Sequence, residues 1–225
     1  MTDKIRIQYQ EELSHLESQA LGAFDLVVRA LDRTLEAIEH QDIQLAELVA
    51  ADDDRIDGRY LETHQGTYTA QAAMKAGNRR LISALLHVIK NAERMGDQCV
   101  NICKLIPIVG HEPPAEESMV RRILEMGTQA RSQIIQAKTA FADRDEAAAQ
   151  DLVRQDDLID QLNRECFSLA IEIGDEHDRR EWAMTMLLAA RAIERIGDNA
   201  VDVGEQVAFV VPGLFREFED ASHPI

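Results

Sequence analysis

Aromatic residues supply only 4% of this 225-residue chain, and its five prolines fall almost wholly at a mid-chain break and near the C-terminus. With Ala, Leu and Ile abundant, those shortages describe long helices. Cysteine is scarce as well. Cys99, Cys103 and Cys166 are an odd number with no CxxC pair, a set that points to a reducing cytoplasm. No apolar run reaches the roughly 18 residues of a membrane span, and Met1-Thr2-Asp3-Lys4-Ile5-Arg6 leads into no signal-peptide core. Any membrane association is therefore expected through a partner. Basic residues are outnumbered, 24 Lys and Arg against 41 Asp and Glu, for a net charge of −17. Such a field repels a polyphosphate backbone, which excludes nucleic acid as a partner. Free phosphate is repelled too, unless a metal or local arginines reverse the field at one spot. Nucleophile elbow, phosphate loop and zinc-protease helix are all missing, so the chain is expected not to be an enzyme.

What is present is repetition. Ala92-Glu93-Arg94-Met95-Gly96-Asp97 returns 101 residues later as Ile193-Glu194-Arg195-Ile196-Gly197-Asp198. Asp53-Asp54-Arg55-Ile56-Asp57 returns 103 residues later as Asp156-Asp157-Leu158-Ile159-Asp160. A separation near half the chain length marks two copies of one structural unit. The two-residue difference in offset places a deletion between the second and third helices of the second copy.

Breakpoints divide the chain into six apolar-periodic stretches. The first covers residues 5–39 and ends near His40-Gln41-Asp42; the second runs to about 76, before Gly77-Asn78; the third runs to about 109, and Gly110-His111-Glu112-Pro113-Pro114 stops it. The pattern restarts over 115–142, passes a joint at Asp143-Arg144-Asp145, continues to about 173, and closes with 179–211 before Pro212-Gly213. The expected fold is all-α, a tandem repeat of two antiparallel three-helix bundles over residues 1–111 and 112–225. The third helix of each unit carries the clearest stripe, with Leu85, Val88, Ala92, Met95 and Cys99 answered by Met186, Ala189, Ile193, Ile196 and Ala200. Cys99 falls in that stripe and reads as a small core residue.

At about 100° of rotation per residue, Glu93, Asp97 and Asn101 share one strip of the helix, nearly opposite the apolar stripe, and Glu194, Asp198 and Asp202 repeat it. The second helices add Asp53 with Asp57 and Asp156 with Asp160. Carboxylates at i and i+4 repel by a few tenths of a kcal/mol, roughly, per pair. One reading is an ordinary wet face, its repulsion offset by Arg55, Lys90, Arg94 and Arg195. The other is that hard cations with oxygen ligands sit between the helices. Duplication of both acidic pairs in register favours the metal, because a repeated structural unit needs to keep only its apolar stripe. Gly96 and Gly197 lie mid-helix, at a cost of roughly 1 kcal/mol each relative to Ala. Close helix packing explains them and would draw carboxylates of two helices towards one ion.

The paired Glu-Arg-x-Gly-Asp segments, each preceded by an Asp-x-Ile-Asp helix in a tandem three-helix layout, resemble the PhoU family of phosphate-transport regulators over residues 5–213. That resemblance implies a cytoplasmic helical protein that represses the phosphate-starvation response when phosphate is plentiful. It implies partners in the ATPase of a phosphate ABC transporter and a PhoR-type sensor histidine kinase. Two elongated bundles expose broad faces, so a homodimer is the expected assembly. It also implies metal ions (iron, manganese, magnesium or zinc) held through Glu/Asp-x-x-x-Asp motifs. Those motifs fall here on Glu93 with Asp97 and on Glu194 with Asp198. Asn101 stands where the second copy has Asp202, so the first centre is one carboxylate poorer.

Two other readings compete. A di-iron carboxylate protein needs a Glu-x-x-His motif on each of two helices, and this chain has one, Glu12 to His15. A pure scaffold would bind partners through its helix faces with no ion. The seven histidines are scattered and read as surface or joint residues.

Overall fold

The computed structural model describes residues 2–72, 79–109, 116–213 and 218. The described chain is helical: α1 (Thr2–His40), α2 (Ile43–Asp52), α3 (Asp54–Ala72), α4 (Arg79–Val109), α5 (Glu117–Asp143), α6 (Glu146–Gly174) and α7 (Arg180–Val210), with a 3-10 turn at His177–Arg179. No strand occurs among the described residues. This is the expected all-α tandem of two three-helix bundles. The turn at Gly77-Asn78, the break at Gly110 to Pro114 and the boundary between residues 111 and 112 lie outside the described residues.

The first joint of each bundle repeats in chemistry as well as position. Gln41 and Arg144, 103 apart, adopt left-handed φ values of 52° and 59°. The next residue then caps the following helix. Asp42 accepts from the Leu45 backbone N–H at 2.9 Å, and Asp145 accepts from those of Ala147 and Ala148 at 3.0 Å each. These bonds satisfy helix-start donors that have no partner inside the helix.

The second stretch differs from expectation: it is two helices in the first bundle. The hydrogen-bond ladder is interrupted at Asp53, although that residue keeps helical dihedrals of −63° and −30°. Three successive carboxylates, Asp52, Asp53 and Asp54, meet there. The second copy reads Gln155-Asp156-Asp157 and forms the unbroken α6.

α4 and α7 are the central helices. α4 packs against α1, α2, α3 and α7, and α7 packs against α4, α5 and α6, while α1 also touches α5. The two bundles thus share one hydrophobic core, in which Leu85, Met95, Ile102, Ile123, Phe141 and Ile193 are fully buried. Each such side chain contributes about 1.5–3 kcal/mol. Because α4 is covered on more than one side, Ile89, Gly96, Val100 and Cys103 are buried in addition to the stripe read from the sequence. Arg131–Asp32, Lys138–Asp25 and Arg144–Glu17, each 2.7 Å, tie α5 and its joint to α1. Surface pairs of this kind are worth about 0–1 kcal/mol, so they set register more than stability.

Candidate metal centres

The two mid-helix glycines are places where the second and third helices come into close contact. A Cβ added at Gly96 would lie 2.9 Å from Ile56 Cδ1 and 3.0 Å from Asp53 Oδ1. One added at Gly197 would lie 2.5 Å from Asp156 Oδ1 and 3.0 Å from both Gln133 Oε1 and Ile159 Cδ1. The repeated residues therefore occupy repeated places: a glycine admits an isoleucine and an aspartate of the neighbouring helix. Close approach, inferred from the cost of a helical glycine, is what the geometry contains.

In the first bundle this brings Asp53, Asp57, Glu93 and Asp97 into one acidic cleft. Burial, reinforced by Asp57, Asp97 and Glu93, pushes the Asp53 carboxyl from its ordinary 3.8 up to about 6. Asp97 is raised as well, first by burial and then by Glu93 and Asp57, against the opposing charges of Lys90 and Lys104. Lys90 donates to both oxygens of Glu93 at 2.8 and 2.7 Å. That pair offsets part of the repulsion, as the sequence suggested for Lys90. Arg55 instead lines a different face of α3, described below.

The second bundle buries its ladder more deeply. Glu194 is 5% exposed and Asp156 9%. Arg191 donates to Glu194 Oε1, whereas Glu194 Oε2 is buried with no hydrogen-bond partner. A buried, unpaired carboxylate oxygen is costly, roughly 1–3 kcal/mol or more for a charged group. Burial pushes this carboxyl from 4.5 up to about 7, with Asp198 and Asp160 adding to the rise and Arg191 opposing it. Asp156 accepts from Gln133 Nε2 at 3.1 Å. Asp202, one turn beyond Asp198, lines a cavity of about 290 Å³ with Asp156, Asp198, Glu205 and Phe218. It therefore extends the same acidic surface towards the end of α7.

Gln133 was not among the residues singled out in the sequence. Its oxygen is also buried without a partner, beside Gly197. The available signal was its phase: on α5 it continues the steps of Met119, Ile123, Met126 and Ala130, a polar residue in an otherwise apolar stripe. Glu12 and His15, the lone di-iron-type motif, are both exposed on α1. Cys99 is fully buried and its thiol pKa is raised by burial, in keeping with a core role.

No three His, Cys, Asp or Glu side chains among the described residues are drawn into a closed metal cage; the carboxylates stand in open ladders. The residues nevertheless suit a hard cation. The donors are all oxygen, and Glu194 Oε2 together with Gln133 Oε1 are buried acceptors that the protein itself leaves unfilled.

The raised carboxyls fix the sign of a pH effect. A folded-state pKa above the unfolded value means that the folded chain retains a proton the unfolded chain has released. The stability is full below the unfolded pKa and is lost as pH rises through the folded one. For Asp53 and Glu194 the windows run from 3.8 to about 6 and from 4.5 to about 7. Asp151, held down to about 2 by Gln155, Arg154 and Gln136, acts oppositely but at lower pH. Chelator-treated protein is therefore expected to melt at progressively lower temperature as pH rises from about 4.5 to 7, with Glu194→Gln flattening the upper part of that slope. A melting temperature that climbs over this interval would contradict the assignment.

Fold and clefts together define a class: an all-helical protein of two fused three-helix bundles, each presenting a carboxylate ladder where a glycine admits the neighbouring helix. The family model described as the PhoU domain matches residues 21–106 and again 123–207, and the chain belongs to the PhoU family. The phosphate-specific transport system accessory protein PhoU homolog of Clostridium acetobutylicum is 27% identical over 224 residues, covering 98% of this chain and 100% of its own. In fold, the chain is similar to the phosphate transport system regulatory protein PhoU from Streptococcus pneumoniae, with TM-score 0.82, 23% identity, and coverage of 92% of this chain and 99% of that one. It is likewise similar to PhoU from Pseudomonas aeruginosa, with TM-score 0.80, 25% identity, and coverage of 92% and 100%. The Clostridium relative is named for an accessory role and the Streptococcus one for a regulatory role.

Proposed function

We propose that this chain is a negative regulator of the phosphate-starvation response, acting in the cytoplasm as an adaptor between the ATPase of a phosphate ABC transporter and a PhoR-type sensor histidine kinase. Membership in the PhoU family and the names of its relatives support the phosphate-transport role. The observation that carries the mechanism is the acidic cleft built twice, with an unfilled buried oxygen on Glu194. One cleft offers Asp53, Asp57, Glu93 and Asp97, and the other offers Asp156, Asp160, Glu194 and Asp198, extended by Asp202. Divalent or trivalent ions such as iron, manganese, magnesium or zinc supply positive charge there, offsetting part of the net −17. The carboxylates fix where that charge sits, and the packing of α4 against α7 holds both clefts in one frame for a partner to read. No described helix is long and apolar enough to cross a membrane; in this reading, contact with the membrane comes through those partners. Exposed Phe167 and Ile171 on α6, with Met184 and Leu188 on α7, offer apolar surface for a homodimer.

Deleting the gene tests the role directly. Phosphate-starvation genes are expected to become active in phosphate-rich medium and to fall silent again when the intact chain is restored. If they stay fully repressed in the deletion strain, the chain is not this regulator. A chain carrying Glu194→Gln and Asp198→Asn is expected to restore repression poorly, whereas full restoration would favour a scaffold that needs no ion.

A further inference from the structure

The two copies differ where α1 and α5 meet the second helix, beside the ladder residues Asp53 and Asp156. In the second bundle this place is filled. Gln133 enters it fully buried, and Gln129 Nε2 donates to Gln155 Oε1 at 3.2 Å while Gln155 Nε2 donates to Gln136 Oε1 at 2.6 Å. In the first bundle the position of Gln133, 103 residues earlier, is Ala30. There the space remains open as a cavity of about 100 Å³, floored by Val49, Ile56, Gly96 and Cys99.

Its walls have changed charge. Arg29, Arg33 and Arg55 line the cavity at positions that are Ser132, Gln136 and Leu158 in the second copy. Arg33 donates to Asp52 at 2.5 Å, so those two charges cancel. Arg29 and Arg55 are exposed at the rim of the cleft, beside the carboxyl of Asp53, and make no ion pair among the described residues. In a chain with a net charge of −17, three arginines against the carboxyls of Asp52 and Asp53 leave this one opening with a local excess of a single positive charge. The cavity is far below the roughly 300 Å³ of a pocket for a drug-sized molecule, which limits its occupant to an ion. Guanidinium forks match tetrahedral oxyanions through paired charge-assisted bonds.

We propose that the cleft between α1 and the α2–α3 break binds one small inorganic oxyanion, phosphate in the cell, through Arg29, Arg33 and Arg55. The preference for an oxyanion rests on the cleft alone; phosphate as the particular ion rests on the regulatory role proposed above. The site is then a direct phosphate sensor confined to the first repeat, backed through Asp53 and Gly96 against the first acidic ladder.

Equilibrium dialysis of the full chain with radiolabelled inorganic phosphate tests this. The intact chain is expected to bind near one phosphate per chain, and Arg29→Gln with Arg55→Gln to weaken binding by at least about tenfold. Ala30→Gln, which installs the residue of the second repeat, is expected to fill the cavity and abolish binding. Glu194→Gln with Asp198→Asn is expected to leave binding unchanged. Undiminished affinity in the arginine and Ala30 variants overturns the inference, as does loss of binding in the Glu194 and Asp198 variant, which would place the phosphate on a metal. A wild-type chain that binds no phosphate overturns it too while leaving the regulatory role intact. A deletion strain that stays repressed has the opposite effect, removing the role and leaving the binding result standing.

Discussion

Replacing Gly197 with alanine is expected to destabilise the protein by about 2 kcal/mol and to lower its melting temperature by about 4–8 °C. The added Cβ would stand 2.5 Å from Asp156 Oδ1, so the carboxylate must move. That carboxylate is buried and bonded to Gln133, and moving it leaves a buried amide and a buried charge without each other. Against this loss stands the gain in helix propensity of roughly 1 kcal/mol for Gly→Ala, which is the smaller effect here. Gly96→Ala supplies the contrast. Its Cβ would approach Asp53 and Ile56 at 3.0 and 2.9 Å, and Asp53 is only half-buried, with room to turn. That variant is expected to stay within about 1 kcal/mol of the parent, because propensity and crowding nearly cancel. Thermal melts of the two variants side by side check the prediction. Equal effects would mean that Asp156 is not held as described.

Metal loading is expected to have the larger effect. An ion that binds only the folded chain, at about a hundredfold excess over its Kd, stabilises it by about 3 kcal/mol. For a chain of this size that raises the melting temperature by about 6–12 °C. The rise is expected to be greater near pH 7.5 than near pH 5, since the ion requires ionised carboxylates and burial holds Glu194 protonated up to about 7. Glu194→Gln with Asp198→Asn is expected to remove most of the rise. Melts with manganese, magnesium and zinc at both pH values measure it; equal stabilisation of the variant would move the ions elsewhere.

Most of the architecture was legible because long helices write their burial in periodic steps. The α4 and α7 stripes, the joints at Asp42 and Asp145 and the two glycine contacts follow from residue type and spacing. The break at Asp53 did not, since a backbone with helical dihedrals can lose its ladder without a proline or glycine to announce it. The unequal depth of the two ladders was also hidden. Glu93 and Glu194 occupy the same helical phase, yet only Glu194 is nearly fully buried, and that depends on the packing of neighbouring helices. Gln133 shows in the sequence only as a polar residue in an apolar stripe, and the arginine cavity becomes visible only when the two repeats are superposed, because it turns on residues that differ between copies.

The central claim is that the acidic ladders hold metal, and element-resolved metal content tests it most directly. The protein is purified without chelators or a His tag, beside chains carrying Glu194→Gln/Asp198→Asn and Glu93→Gln/Asp97→Asn. The account predicts metal in near-integral ratio to the chain in the parent, reduced in each variant and absent when both sets are combined. Trace metal in the parent, or the same content in the combined variant, would contradict it and leave the ladders as solvated faces.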